Sequence, residues 1–366
     1  MERMQSTWEN LVDYNLSESG VHPMTLAELI AQEPGSLERL LQQELGYGQS
    51  NGTIELREQI AALYPGATMD HVLVTNGTSE ANFINIWKLV EKEDEVLLML
   101  PNYMQIFGIV RGFGGIVRPF HLREENGWKP DIEELKRAVS SRTKLIAVCN
   151  PNNPTGAILD EQEMNQIAQV AAGAGAWLLA DEVYQGAERS RERTPSFWGR
   201  YERVIVTNGL SKAYGIPGLR IGWVVGPPGL IATLWSYHDY TTIGPGKLSD
   251  VLARLALQPR VRENILTRTR NILRNNYPIL REWISNHGDT FSLVEPQAGA
   301  IAYLRYKLDI NSTELAERLL HEKSVLIVPG DHFGMDHYLR IGYGPPADYL
   351  HTALERIHST LVELMD

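Results

Sequence analysis

The stretch NGLSKAYGIPGLRIGW, residues 208–223, sets one lysine, Lys212, between a serine and a tyrosine–glycine turn, with a proline, a glycine and Arg220 close behind. Apolar runs frame it, VIVTNG (204–209) before and RIGWVVG (220–226) after. Short apolar runs bounded by turn residues read as strands, so the lysine is expected at the rim where one strand ends. Such a lysine is either an ordinary surface cation or an amine kept from water for covalent chemistry, and its surroundings have to discriminate.

Further apolar runs lie upstream: HVLVT (71–75), EVLLML (95–100), GIVRPF (115–120), KLIAVC (144–149) and AWLLADEVY (176–184). Amphipathic stretches such as SEANFINIWKLVEKED, DIEELKRAVS and DEQEMNQIAQVAAGAG separate several of them. Strands buried on both faces read as continuous apolar runs, and their alternation with helices predicts an α/β domain with a mostly parallel sheet. Past residue 245 the pattern changes to one long helical stretch, then FSLVEPQAGAIAYLRY, SVLIVPG and YLRIGYG, which predict a smaller α+β unit. The expected division is a large domain over 45–260 and a small one built from 1–44 and 261–366.

At 366 residues the chain is long enough for two such units. The formal net charge of −11 argues against a nucleic-acid face, which would be basic. Cys149 is the single cysteine, so no internal disulfide forms, and it is expected as a small buried apolar residue. The N-terminal MERMQSTWENLVDY lacks the apolar core of a signal peptide, and no apolar run approaches a membrane span. A cytoplasmic protein is expected.

Ligands of open α/β sheets gather at the carboxyl ends of the strands. After HVLVT comes NGTSEAN, where Gly77, Thr78 and Ser79 open a helix; such an end serves equally as a helix cap or as a phosphate cradle. After EVLLML comes Tyr103, able to lie flat on a planar ligand or simply to pack. After KLIAVC comes NPNNPTG, a rigid turn that would fix the Asn153 amide at the sheet edge. AWLLADEVY ends on Asp181, Glu182 and Tyr184, and a carboxylate ending an apolar strand needs a partner. A phosphate cradle, a flat aromatic, an amide, a carboxylate and a lysine on one rim describe a pocket for a flat, cationic, phosphorylated ring that bonds to an amine. Pyridoxal 5′-phosphate fits that description.

With SKAYGIPGLRIGW, NNPTG followed by ADEVY, and YLRIG, in that order, the chain resembles the class I/II aminotransferases, fold-type I enzymes that use pyridoxal phosphate. The resemblance implies that Lys212 forms the Schiff base, its amine tuned by desolvation and a cationic neighbour. It implies that Arg220, Thr78, Ser79 and Ser211 hold the phosphate, that Tyr103 stacks on the ring, and that Asn153 and Tyr184 bond its phenolic oxygen. Asp181 would keep the ring nitrogen protonated, and Arg340 of YLRIG would clamp the substrate carboxylate. Tyr47, in YGQSNGTIELRE, matches the tyrosine that crosses to a partner subunit, which implies a homodimer with shared sites. LSESGVHP (16–23) resembles the segment that covers the substrate, with Gly20 near its carboxylate.

One position departs from the pattern. Many relatives carry serine where this chain has Gly209, so one phosphate contact is expected to be missing and Gly209→Ser is expected to tighten cofactor binding.

The implied reaction moves an amino group between an L-amino acid and a 2-oxo acid. A rival reading starts from SESGVHP and LSKAYGIPGLRIGW, which are similar to the capreomycidine synthases, enzymes that cyclise a hydroxylated arginine. On that similarity Glu18 is a candidate for the far end of a cationic substrate. No metal is expected: His332 and His337 in GDHFGMDHY fall in a lid-like loop with the wrong spacing for one helix face. A dehydrogenase is excluded because neither GFGGIV nor GIPGLRIG has the glycine spacing of a dinucleotide fingerprint.

Overall fold

A computed structural model describes residues 1–190 and 192–365. Among the described residues fourteen strands follow in chain order. They are β1 (Tyr14–Asn15), β2 (Val72–Thr75), β3 (Glu95–Leu100), β4 (Ile116–Arg123), β5 (Lys129–Pro130), β6 (Thr143–Cys149) and β7 (Trp177–Asp181), then β8 (Val204–Gly209), β9 (Gly222–Val225), β10 (Phe291–Leu293), β11 (Ile301–Tyr306), β12 (Val325–Leu326), β13 (Val328–Pro329) and β14 (Tyr338–Gly342).

Eight of these form one sheet in the order β2-β9-β8-β7-β6-β3-β4-β5. From β8 through β4 the neighbours are parallel, while β2, β9 and β5 join antiparallel. Each apolar run upstream of residue 226 thus supplies a strand. The central strands are buried along nearly their whole length because helices cover both faces, which is why they read as unbroken apolar runs. AWLLADEVY is strand only to Asp181, and Glu182 begins the turn that follows.

A second sheet, β10-β11-β14-β13, is antiparallel throughout, and β1 pairs in parallel with β12. SVLIVPG is therefore split: Val325–Leu326 pairs with the N-terminal segment, and Val328–Pro329 with β14. The long helical pattern is also two helices, Lys247–Leu257 and Pro259–Ser285, broken where Pro259 cannot continue the first ladder. A seven-residue helix, Glu2–Trp8, precedes β1.

Candidate active site

The parallel order makes β6, β7 and β8 end on the same side, and the polar residues that follow them meet there with the start of the helix Thr78–Leu89. They wall a cavity of about 620 Å³. Thr78, Ser79, Tyr103, Asn153, Asp181, Tyr184, Ser211, Lys212 and Arg220 line it from the large sheet. Arg340 enters from β14, and Glu18 and Gly20 from the N-terminal segment. Tyr47 is not brought to it; its side chain stands 97% exposed elsewhere.

Asp181 is 6% exposed. Its Oδ2 accepts from Asn82 Nδ2 at 3.1 Å and its Oδ1 from the Val183 amide at 3.1 Å. Burial still wins and pushes the carboxyl up to about 6, against those two bonds and the Lys212 charge. Asn82 is itself oriented by Thr207 Oγ1, which donates to its Oδ1 at 2.9 Å. The adjacent Glu182 is also buried and pushed up to about 7, first by burial. It accepts from the Phe197 amide at 2.7 Å and Ser196 Oγ at 2.9 Å, and does not line the cavity.

Lys212 keeps 28% of its side chain exposed, and its Nζ lies 3.6 Å from Glu18 Oε2. The close ionic partner among the described residues is thus a carboxylate, not the cationic neighbour expected. Gly20 packs on the same lysine: a Cβ there would sit 3.7 Å from Lys212 Cα and Cδ. Arg340 is 2% exposed; Nη1 donates to Asn153 Oδ1 at 2.9 Å and Nη2 to the Ser17 carbonyl at 2.5 Å. Its Nε is buried without a hydrogen-bond partner among the described residues. Tyr184 donates its hydroxyl to Ser19 Oγ at 2.8 Å, and burial raises its phenol well above the usual range.

Gly77, at φ +85°, forms the turn before Thr78; a Cβ on it would run into the Arg220 guanidinium. Arg220, itself left-handed at φ +51°, donates to the Pro217 carbonyl at 3.1 Å and reaches Ser211 Oγ at 3.4 Å. Thr78 Oγ1 is buried with no hydrogen-bond partner among the described residues. An orphaned hydroxyl, a glycine turn and a guanidinium around one spot fit a phosphate, and the buried acid of Asp181 fits a ring cation. The residues present therefore suit pyridoxal phosphate.

Gly209 needs a correction. A Cβ there would stand 2.7 Å from Thr78 Oγ1, 2.8 Å from the Ile221 carbonyl and 3.1 Å from Gly222 Cα. β8 and β9 approach so closely under the cradle that a side chain there fits only if its neighbours shift, so the position offers no ready room for the hydroxyl expected. Cys149 is buried, as expected, and lies on the cavity wall, its Sγ 3.2 Å from the Pro151 carbonyl.

Four groups escaped the reading from sequence. Asn82 and Ser19 orient Asp181 and Tyr184. Glu2 of the N-terminal helix and Glu9, which follows its last residue, line the cavity beside Glu18. Glu9 is pushed up, first by partial burial and then by Glu18 and Glu2. The signal for Asn82 was a polar residue four positions after Thr78, on the same face of its helix.

Comparison with known proteins gives the family of the chain. Residues 12–357 match the family described as aminotransferase class I and II. Capreomycidine synthase of Streptomyces vinaceus is 33% identical over 95% of this chain and 89% of its own. Aspartate/prephenate aminotransferase of Thermus thermophilus is 30% identical over 88% and 85%. The crystal structure of a PLP-dependent aminotransferase from Streptococcus suis 89-1591 superposes with a TM-score of 0.93 at 33% identity, covering 99% of this chain and 97% of that one.

Proposed function

The chain belongs to the class I and II aminotransferases, pyridoxal-phosphate enzymes of fold-type I, and from that premise we propose that it moves an amino group between an L-amino acid and a 2-oxo acid by way of Lys212. The observation that carries this reading is one cavity lined at once by Lys212, Asp181 and Arg340.

When bound, pyridoxal phosphate supplies an electron sink for the pair left when a substrate Cα loses its proton. Thr78, Ser79, Ser211 and Arg220 would hold its phosphate, with Gly77 giving the guanidinium room. Tyr103 would lie on its ring. Asp181 would pair with the ring nitrogen and favour its protonated form, and Asn82 holds that carboxylate in place. Asn153 spends Oδ1 on Arg340, which leaves Nδ2 as the amide's donor; with the Tyr184 hydroxyl it would steady the ring's oxygen. Lys212 would bond the cofactor covalently and then carry the Cα proton on Nζ. Arg340 would take the substrate carboxylate on the side of its unpaired Nε, with Gly20 close to that carboxylate.

A homodimer is part of the proposal. Tyr47, Leu45 and Leu41 stand out on one exposed segment, and Tyr240 and Ile243 on another. The two segments touch: a Cβ on Gly244 would lie 2.9 Å from Ser50 Cα. Apolar groups gathered in this way suit a second copy of the chain, to whose site Tyr47 would then reach. Inactive Lys212→Ala and Tyr47→Ala subunits, exchanged, should together recover activity, because one site of the mixed dimer is intact. No recovery after proven exchange removes Tyr47 from the shared site. The division into a large domain, 45–260, and a small one, 1–44 with 261–366, is supported by the pairing of β1 with β12. The lone buried thiol supports a cytoplasmic setting.

A second reading rests on the similarity to capreomycidine synthase: the same cofactor site serving a cyclisation. Amino acids added singly to the purified holoprotein separate the two. Conversion of the cofactor to its amine form with release of a 2-oxo acid means transamination; a substrate consumed without either sinks it.

A further inference from the structure

Glu80 lies two residues past Thr78, in the first turn of the helix that opens the phosphate cradle. Its side chain is only 9% exposed, yet it does not line the cavity. Oε2 accepts from the Asn76 amide at 2.6 Å and lies 3.1 Å from His238 Nε2. Oε1 accepts from Thr241 Oγ1 at 2.5 Å and Thr242 Oγ1 at 2.8 Å. Asn76 closes the ring of contacts, its Nδ2 donating to Thr242 Oγ1 at 2.6 Å and to the Gly244 carbonyl at 3.0 Å. Burial acts to raise this carboxyl, but the bonds from His238, Thr241 and Asn76 overcome it and hold it down at about 2.

The carboxylate therefore ties two backbone segments that have no sheet or helix in common. One is the turn Asn76–Gly77–Thr78. The other is the loop 239–244, which carries Ile243 in the left-handed region at φ +68°. A β-branched residue holds that conformation only where its surroundings impose it. The turn has little tolerance for displacement, because Gly77 is closed by the Arg220 guanidinium on one side and Gly222 by the Gly77–Thr78 backbone on the other.

We propose that Glu80 is a positioning residue for the cofactor phosphate: it fastens the Gly77 turn to loop 239–244 and so keeps Thr78 and Arg220 at phosphate-binding geometry. The proposal rests on the reading of Thr78 and Arg220 as the phosphate site. It assigns Glu80 no contact with cofactor or substrate. Its carboxylate accepts four donors at once, and a carboxamide of the same shape cannot, since one of its ends only donates.

The test uses the purified holoprotein and reads cofactor release, by absorbance after dilution into a scavenging buffer, together with the melting temperatures of loaded and cofactor-free protein. Glu80→Gln is expected to speed release about tenfold, the loss of roughly one hydrogen bond to a charged group, and to narrow the gap between the two melting temperatures. Thr242→Val, a milder change at the other end of the tie, is expected to act in the same direction and more weakly. It decides the matter if Glu80→Gln does not fold. Release at the wild-type rate, with both melting temperatures lowered equally, makes Glu80 a purely structural residue and overturns the proposal. Arg220→Ala and Thr78→Ala serve as the control: if neither speeds release, it is the phosphate site that has been misplaced.

Discussion

Two walls face each other across the cavity, and they are built differently. The rim of the eight-stranded sheet presents Asp181, Asn153, Lys212 and the Gly77 turn, each fixed by the end of a buried strand or the start of a helix. The N-terminal cover presents Glu18, Gly20, Glu2 and Glu9 from a short helix and an extended segment. On the rim a charge is kept from water: Asp181 is buried and pays in a raised carboxyl. On the cover Glu18 is 53% exposed and keeps its hydration. Rim residues are thus suited to chemistry common to every substrate, and cover residues to telling one substrate from another.

The largest expected effect is on the rim. Lys212→Ala should leave the fold intact, abolish the covalent absorbance of bound cofactor and lower turnover by at least about 10²–10⁴-fold, the range for a positioned acid–base group. Activity near wild type would remove Lys212 from the mechanism.

Next comes the buried charge. The Asp181 carboxyl titrates near 6 in the folded chain, against an ordinary value of 3.8. The folded state then holds the proton more tightly than the unfolded one. The penalty is complete above about pH 6 and is relieved as pH falls towards 3.8, so acidification stabilises through this group. The slope approaches about 1.4 kcal/mol per pH unit, roughly 3 kcal/mol over the window. Denaturant unfolding of cofactor-free protein, wild type against Asp181→Asn, isolates that slope from Glu182 and the other carboxyls. Bound cofactor should abolish the difference, since a ring cation then compensates the charge. A slope difference that survives cofactor binding would mean that nothing cationic meets Asp181.

The third effect lies between strands. Gly209→Ser should weaken cofactor binding, because its Cβ must displace Thr78 Oγ1 or the Ile221 carbonyl. Overpacking of this kind costs about 1–3 kcal/mol. Equilibrium dialysis of the cofactor reads it, and tighter binding would show that β8 and β9 part easily.

Gly209 also marks where reading the sequence stops. Strand ends pointed to Lys212, Asp181 and Asn153, and the family resemblance added Arg340; all four line one cavity. Spacing carries no information on the room between β8 and β9, so a steric glycine looked like a lost hydroxyl. Asn82 was hidden for a related reason: its role appears only when the helix is laid over Asp181. Glu2 opens the N-terminal helix and Glu9 follows its end, but the surface they meet is decided by tertiary contacts. β12 and β13 fall within one apolar run, SVLIVPG, so nothing in the pattern marks the break between them, while their partners differ.

The smallest effect belongs to the cover, and it tests the contrast most directly. Glu18 stands 3.6 Å from Lys212 Nζ, with Glu9 and Glu2 on the same wall. If the lysine bonds the cofactor as proposed, this carboxylate would lose its cation, and a substrate side chain ending in an ammonium or guanidinium would restore one. An exposed pair contributes little, and a side chain without charge leaves Glu18 in water at small cost. Discrimination should therefore be modest, about 1 kcal/mol or some fivefold. The measurement is kcat/KM for arginine against a neutral amino acid of similar length, in wild type and Glu18→Gln. The ratio is expected to fall several-fold on substitution, with cofactor affinity unchanged. A constant ratio would take Glu18 out of side-chain recognition and turn the search to loop 185–198, of which residue 191 lies outside the described residues. A fall in cofactor affinity instead would make Glu18 a support for Lys212, and the division of labour between rim and cover would fail at that residue.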